Sequence, residues 1–310
     1  MGKKLFEIIT KIFAIFFFGL AVWLVFKEVH AQGFDKIVNQ IGKLPLKQLF
    51  LTLFFVLIDY IAFSGYDFLA LTYIGAKIKK WIVIKTAMIC FALTNTTGHA
   101  YLAGGSVRYA FYSKEGLSQI QVLKMVAFES LTYMTGMGIV LDICLIIAHF
   151  LHFPAFANYQ KWLDLGALIA TFLLVVYFLL PEKKLLMNIK LPSLKLKAKQ
   201  AFVGACDCIA ASLAFYTLFL GHLNANYFYV ACLFLVAQII GISSQVPGGL
   251  GVFEATFLYL FHHKPEEKVS LLAILISFRV LYYFLPLFIS LCVLIIDFIK
   301  KIKYKNKITS

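Results

Sequence analysis

The stretch Ser243-Ser244-Gln245-Val246-Pro247-Gly248-Gly249-Leu250-Gly251-Val252-Phe253-Glu254 sits in the middle of an otherwise apolar region, 228–262. Proline lacks a backbone N–H and glycine readily takes left-handed turns, so a helix running into this stretch breaks there. Apolar sequence resumes at once on the far side, which puts the break inside the apolar layer. Non-helical backbone at membrane depth persists only when it packs in protein or faces a water-filled cavity. A second region, 81–112, is interrupted in the same way, by Asn95-Thr96-Thr97-Gly98-His99 and then Gly104-Gly105. Each leg is about 13 to 16 residues, short of the roughly 20 that a crossing needs and suited to a re-entrant segment.

The remaining apolar runs are uninterrupted: 8–26, 49–72, 123–150, 165–181, 201–220 and 269–298. The predicted fold class is all-α, a polytopic membrane protein with about six spanning helices plus two interrupted re-entrant hairpins. All of it forms one integral membrane domain, 1–310. Composition agrees: 62% of the 310 residues are hydrophobic and 14% charged, against roughly 45–50% and 25% in soluble domains. A soluble globule cannot hide that much apolar surface. Soluble enzymes, nucleic-acid binders, disordered chains and secreted disulfide scaffolds are thereby excluded. The six cysteines lie in apolar runs, and Cys206-Asp207-Cys208 is too tightly spaced for a zinc site. They read as buried small hydrophobes, and neither metal nor cofactor is expected. Lys3-Lys4, the run 12–26 and Val29-His30-Ala31 have the outline of a signal peptide. The run is long for that, and more spans follow, so it reads as a retained first helix.

The net charge of +14 comes from 27 lysines and two arginines. Cytoplasmic loops collect basic residues. With a cytoplasmic N-terminus and two hairpins that turn back, 20 lysines fall on the cytoplasmic side and both termini lie there. The segment 182–200 interleaves leucine with lysine, and two readings are open: a helix on an anionic leaflet or a solvated loop. The order helix 49–72, hairpin 81–112, helix 123–150 recurs, with opposite sense, as helix 201–220, hairpin 228–262, helix 269–298. Residues 49–150 and 201–298 are therefore candidate inverted repeats, an arrangement that in transporters brings broken helices together near the midplane.

Charge inside a bilayer costs roughly 2.5–3.5 kcal/mol per residue and marks function by default. Both arginines, Arg108 and Arg279, fall in apolar segments of a chain that otherwise uses lysine. A guanidinium is a planar, permanently charged donor fork suited to phosphate. It is equally suited to a buried pair, Arg279 with Glu254 and Arg108 with Glu129. Gly248, Gly249 and Gly251 precede a helix start, where unpaired N–H groups attract anions, and Ser244 adds a neutral donor. Gly104 and Gly105 form the corresponding break in the first half, and Tyr283 shares a helical stripe with Arg279. Asp59 and Glu129 read as counter-ions to the arginines or as parts of a proton pathway. Asp67 and Asp207, near helix ends, read as solvated at the interface. His99 is either a pH-sensitive gate or a satisfied polar residue.

Pro247 to Glu254, PGGLGVFE, resembles the strongest motif of the lysylphosphatidylglycerol synthase transmembrane-region family. Gly104 to Tyr109 with Tyr112 and Gly116-Leu117-Ser118, Glu129 to Thr132, and Arg279 to Pro286 agree with it in order. The resemblance covers nearly the whole chain. It implies an all-helical domain of the bacterial inner membrane that moves phospholipids between leaflets. In bifunctional members the cargo is lysyl-phosphatidylglycerol, and a soluble aminoacyl-transferring domain follows. This chain ends instead in a lysine-rich tail, so it is expected to be a stand-alone member that is not an enzyme.

The function expected is translocation of a phospholipid, aminoacylated, anionic or zwitterionic. Arg108 and Arg279 would hold its phosphate in a polar chamber where the breaks meet. A membrane adaptor for an envelope-lipid or glycan enzyme is the alternative, and a transferase using a lipid-linked donor is a third reading. The partners implied are a membrane phospholipid, with a second copy of the chain or a separate lipid-modifying enzyme as further candidates, and no nucleic acid.

Overall fold

The computed structural model describes residues 34–97, 105–151, 160–182, 190–220, 223, 225–261, 264 and 267–309. The expected span 8–26, Gly104 and His99 lie outside the described residues. All regular elements among the described residues are helical. In chain order they are α1 (Phe34–Gly42), α2 (Leu46–Ile74), α3 (Lys80–Thr97), α4 (Gly105–Tyr112) and α5 (Gln119–Leu151). Then come α6 (Gln160–Leu179), α7 (Leu194–Thr217), α8 (Tyr227–Ser243), α9 (Val252–Leu260), α10 (Lys268–Phe278) and α11 (Leu285–Thr309). Among the described residues five stretches are long and apolar enough to cross a membrane: α2, α5, most of α6, α7 and the run Lys268–Asp297.

α2 and α7 pack antiparallel at the centre, Thr52 bonding Thr217 at 2.7 Å near one end and Gly65 meeting Val203 further along. α5 crosses α7 where Gly136 faces Gly204. A Cβ on Gly136 would lie 2.0 Å from the Gly204 backbone, so only glycine allows this approach. Around the far half of α7, Phe215 stands edge-on to Phe219, Phe257 and Phe278, closing a core shared with α8, α9 and α10. Such ring pairs contribute about 0.5–1.5 kcal/mol each beyond their burial. α6 lies outside the bundle, its Trp162, Leu168 and Phe172 exposed, with Leu174 packed on Gly138 of α5.

Both broken regions return to the end of the bundle they came from. Val83 at the start of α3, Tyr112 at the end of α4 and Leu71 at the end of α2 share one small core. Tyr229 at the start of α8 stacks near Phe261, just past α9, and Phe261 also meets Phe219 after α7. Because α2 and α7 are antiparallel, the two hairpins come from opposite ends. Their arms are unequal, which corrects the expectation of similar legs. The first arms have 18 and 17 residues and the second 8 and 9, or about 26 Å against about 13 Å at 1.5 Å per residue. In the second hairpin the turn itself consumes the missing length. Residues 244–251 hold Gln245, Gly248, Gly249 and Gly251 at positive φ before α9 begins. At this turn the hairpins meet: a Cβ on Gly248 would lie 3.0 Å from the Thr96 carbonyl at the end of α3.

The segment 182–200 is neither a surface helix nor a loop throughout, since α7 starts at Leu194. Its Lys197 is buried, the ammonium donating to the Tyr177 and Leu180 carbonyls at 2.6 Å each. It thereby satisfies the open C-terminal end of α6.

Candidate functional site

Three polar clusters lie within the apolar bundle. The first is built on α4. Arg108, 2% exposed, donates from Nε and Nη2 to Asp67 Oδ1 at 3.2 and 2.9 Å, and Nη2 lies 2.9 Å from Glu129 Oε2. Tyr112, one turn further, donates to Asp67 Oδ2 at 2.5 Å. The Phe91 ring covers the guanidinium, 4.8 Å from its centroid. One cation is thus held between acids from α2 and α5, tying the second arm of the hairpin to both long helices. Glu129 Oε1 accepts from no donor among the described residues.

The second cluster is built on the broken stretch. Arg279, 5% exposed, donates from Nε to Glu254 Oε1. Its terminal nitrogens donate to backbone: Nη1 to the Gly248 carbonyl at 2.6 Å and Nη2 to the Gly249 carbonyl at 3.3 Å. Glu254 uses its other oxygen to accept from the Gly251 N–H at 2.7 Å, capping its own helix. The Tyr283 and Phe253 rings flank the guanidinium. Arg279 opens a π turn, Arg279–Phe284, in which the Leu285 N–H bonds Val280. Pro286 explains it: proline has no N–H for the Tyr282 carbonyl and its ring crowds that turn, so the helix widens there. Such turns recur at functional sites.

The third cluster lies where α2 crosses α7. Asp59 and Asp207 are 0% and 2% exposed. Tyr282 donates to Asp59 Oδ2 and Tyr66 to Asp207 Oδ2, each at 2.5 Å. Neither acid meets a lysine or arginine among the described residues, and Asp59 Oδ1 has no hydrogen-bond partner there.

The structure therefore brings the sequence candidates together in pairs, with some departures. Arg108 with Glu129 and Arg279 with Glu254 are the pairs expected. Asp59 balances no arginine and faces Asp207 and Tyr282 instead. Asp67 and Asp207 are buried, not solvated, because α2 runs on to Ile74 and α7 begins as early as Leu194, which moves both acids into the helix interiors. Ser244 is spent on the turn, donating to the Gly241 carbonyl at 2.6 Å and accepting from the Val246 N–H at 3.2 Å. Gly105 is buried against Val126. Nor do the arginines line an open chamber: their described surroundings are acids, carbonyls and rings. A groove of about 300 Å³ lies elsewhere, between α5 and α6, lined by Leu145, His149, Asp164 and Thr171 among others. Among the described residues no group of His, Cys, Asp or Glu could hold a metal ion.

Comparison with known proteins finds the same extent of chain in other bacteria. An uncharacterised protein of Synechocystis is 30% identical over 277 residues, 87% of this chain and 85% of the relative. The inner membrane protein YbhN of Escherichia coli is 29% identical over 307 residues, 94% of each chain. The phosphatidylglycerol lysyltransferase of Bacillus subtilis is 22% identical over 302 residues, 93% of this chain but only 34% of that enzyme. No family model matches the chain.

Proposed function

The chain belongs to the lysylphosphatidylglycerol synthase transmembrane-region family, and from that premise we propose that it moves a phospholipid between the leaflets of the bacterial inner membrane. The observation that carries the proposal is the partnering of Arg279. Its Nε is fixed by Glu254, while Nη1 and Nη2, the two ends of the fork, rest on neutral carbonyls of a turn between two helices. A phosphate that displaces those carbonyls exchanges neutral acceptors for a charged, bidentate one, the stronger interaction in a low-dielectric interior. Glu254 keeps the guanidinium oriented meanwhile. The turn that gives up Arg279 is the one packed on the tip of the other hairpin, so its opening also parts the two halves. We read those halves, 49–150 and 201–298, as an inverted repeat. A polar head would then pass between them while the acyl chains stay in lipid.

Arg108 has a different part in this reading. Two carboxylates hold it, and a phosphate brought there would meet net negative charge. Its role is to fix the first hairpin. We read the lysines of 77–85, 113–124 and 182–200 as marking the cytoplasmic side, with both termini there.

The test is reconstitution in liposomes with a trace of NBD-labelled phosphatidylglycerol, scored by dithionite quenching. The expected result is quenching of inner-leaflet label faster than in empty vesicles, and slower in Arg279→Lys because an ammonium lacks the planar fork. Quenching that matches empty vesicles for anionic, zwitterionic and aminoacylated lipids overturns the proposal. A second reading has one observation in its favour. Both guanidinium groups are already satisfied inside the bundle, as in a scaffold that docks a lipid-modifying enzyme. A stoichiometric enzyme recovered with the protein, unaffected by Arg279→Ala, would support that reading.

A further inference from the structure

Three of the buried acids, Asp67, Glu129 and Glu254, touch an arginine. Asp59 and Asp207 touch no lysine or arginine among the described residues. To their surroundings α2 contributes Tyr60 and Tyr66, α7 Cys208, α5 Tyr133, and the π turn Tyr282 and Tyr283. All of these are neutral groups at ordinary pH; Arg279 and Glu254 stand beyond Tyr283. Tyr282 and Tyr66 donate to Oδ2 of the two carboxyls, and Asp59 Oδ1 accepts from no donor in the described structure.

Carboxylate oxygens only accept. Two bare charges buried in an apolar bundle with no lysine or arginine against either are too costly to persist. The pair is therefore a place for a proton. It is also wired to the proposed lipid site. Asp59 is bonded to Tyr282, whose neighbour Tyr283 covers Arg279. Loss of the proton would repel the two carboxylates, loosen the α2–α7 crossing and pull on the turn that carries Arg279.

We propose that Asp59 and Asp207 form a proton-carrying pair that couples lipid movement to a proton gradient across the membrane. One proton is taken from water on one side onto a carboxylate oxygen of the Asp59–Asp207 pair and released to water on the other as the halves rearrange. No bond other than that O–H is made or broken, and the driving force is the pH difference itself. The inference rests on the translocase reading.

The experiment uses the full chain in vesicles of phosphatidylglycerol and phosphatidylethanolamine with NBD-phosphatidylglycerol outside and pyranine inside. A pH difference of either sign is imposed, and lipid movement and internal pH are followed together. The expected result for the unmodified protein is movement several-fold faster with one sign of gradient than the other, with a matching proton flux. Asp59→Asn and Asp207→Asn each abolish the dependence on sign. Movement above empty vesicles that ignores the gradient overturns the coupling and leaves the translocase reading standing; no movement at all overturns both. Infrared difference titration of the purified protein checks the pair without transport. It should show the C=O stretch of a protonated carboxylic acid at neutral pH, weakened in either Asn variant. Absence of the band from the unmodified protein refutes the bound proton. Tyr282→Phe, which leaves both acids in place, should shift the titration and guards against an Asn variant that fails to fold.

Discussion

The two arginine clusters solve the same problem with the charges exchanged. In the first half the hairpin's second arm carries the cation, Arg108, and the following long helix carries the acid, Glu129. In the second half the second arm carries the acid, Glu254, and the following helix the cation, Arg279. Each short arm, about 13 Å long, carries one member of an ion pair with the helical segment that follows it. The remaining partners differ. Arg108 gains a second acid, Asp67, and a hydroxyl on that acid from Tyr112. Arg279 gains only the carbonyls of Gly248 and Gly249. The two anchors thus carry unequal commitments: one cation is locked between charges, the other rests on groups that a phosphate can outbid.

Substitutions should separate the two. The largest effect is expected from Arg108→Ala, which leaves Asp67 and Glu129 buried without a cation. Removing one partner of a buried pair costs about 3–5 kcal/mol, so little folded protein should survive extraction, as read by thermal unfolding in detergent. Arg279→Lys should retain most of the fold, since an ammonium still meets Glu254, while lipid movement falls about tenfold for a loss of ~1.4 kcal/mol in phosphate recognition. Arg108→Lys should show the opposite balance, with stability reduced more than rate. Gly248→Ala forces a side chain into a positive φ and towards the Thr96 carbonyl. It should cost about 1–2 kcal/mol, seen as a lower melting temperature. Smallest of all, Tyr112→Phe removes one neutral hydrogen bond to an acid that keeps its arginine, about 1 kcal/mol. Equal responses at the two arginines in both assays would erase the distinction.

Much of this arrangement was legible because breakers and charges stand out against apolar sequence. Pro247-Gly248-Gly249 announced the break, and two arginines among so many hydrophobic residues announced their need for acids; Glu129 and Glu254 were the partners within reach. What was hidden depended on where helices end. Asp67 and Asp207 looked interfacial because the hydropathy of α2 and α7 fades before the helices do, through Thr72-Tyr73-Ile74 and Leu194-Lys195-Leu196-Lys197. Lys197 is polar by composition yet buried, an assignment only the neighbouring carbonyls of α6 explain. The π turn follows from Pro286, but periodicity at 3.6 residues does not reveal that the extra residue presents Tyr282 to Asp59. The Gly136–Gly204 approach pairs residues distant in sequence, where no local pattern points from one to the other.

That the chain contains just two arginines makes its central claim directly measurable. With arginine labelled by ¹⁵N and the protein in phospholipid vesicles, ¹⁵N–³¹P dipolar dephasing in solid-state NMR reads which guanidinium meets lipid phosphate. The account predicts dephasing of one set of side-chain signals, absent in Arg279→Lys, and none of the set absent in Arg108→Lys. Dephasing confined to Arg108, or none at either arginine, would contradict it.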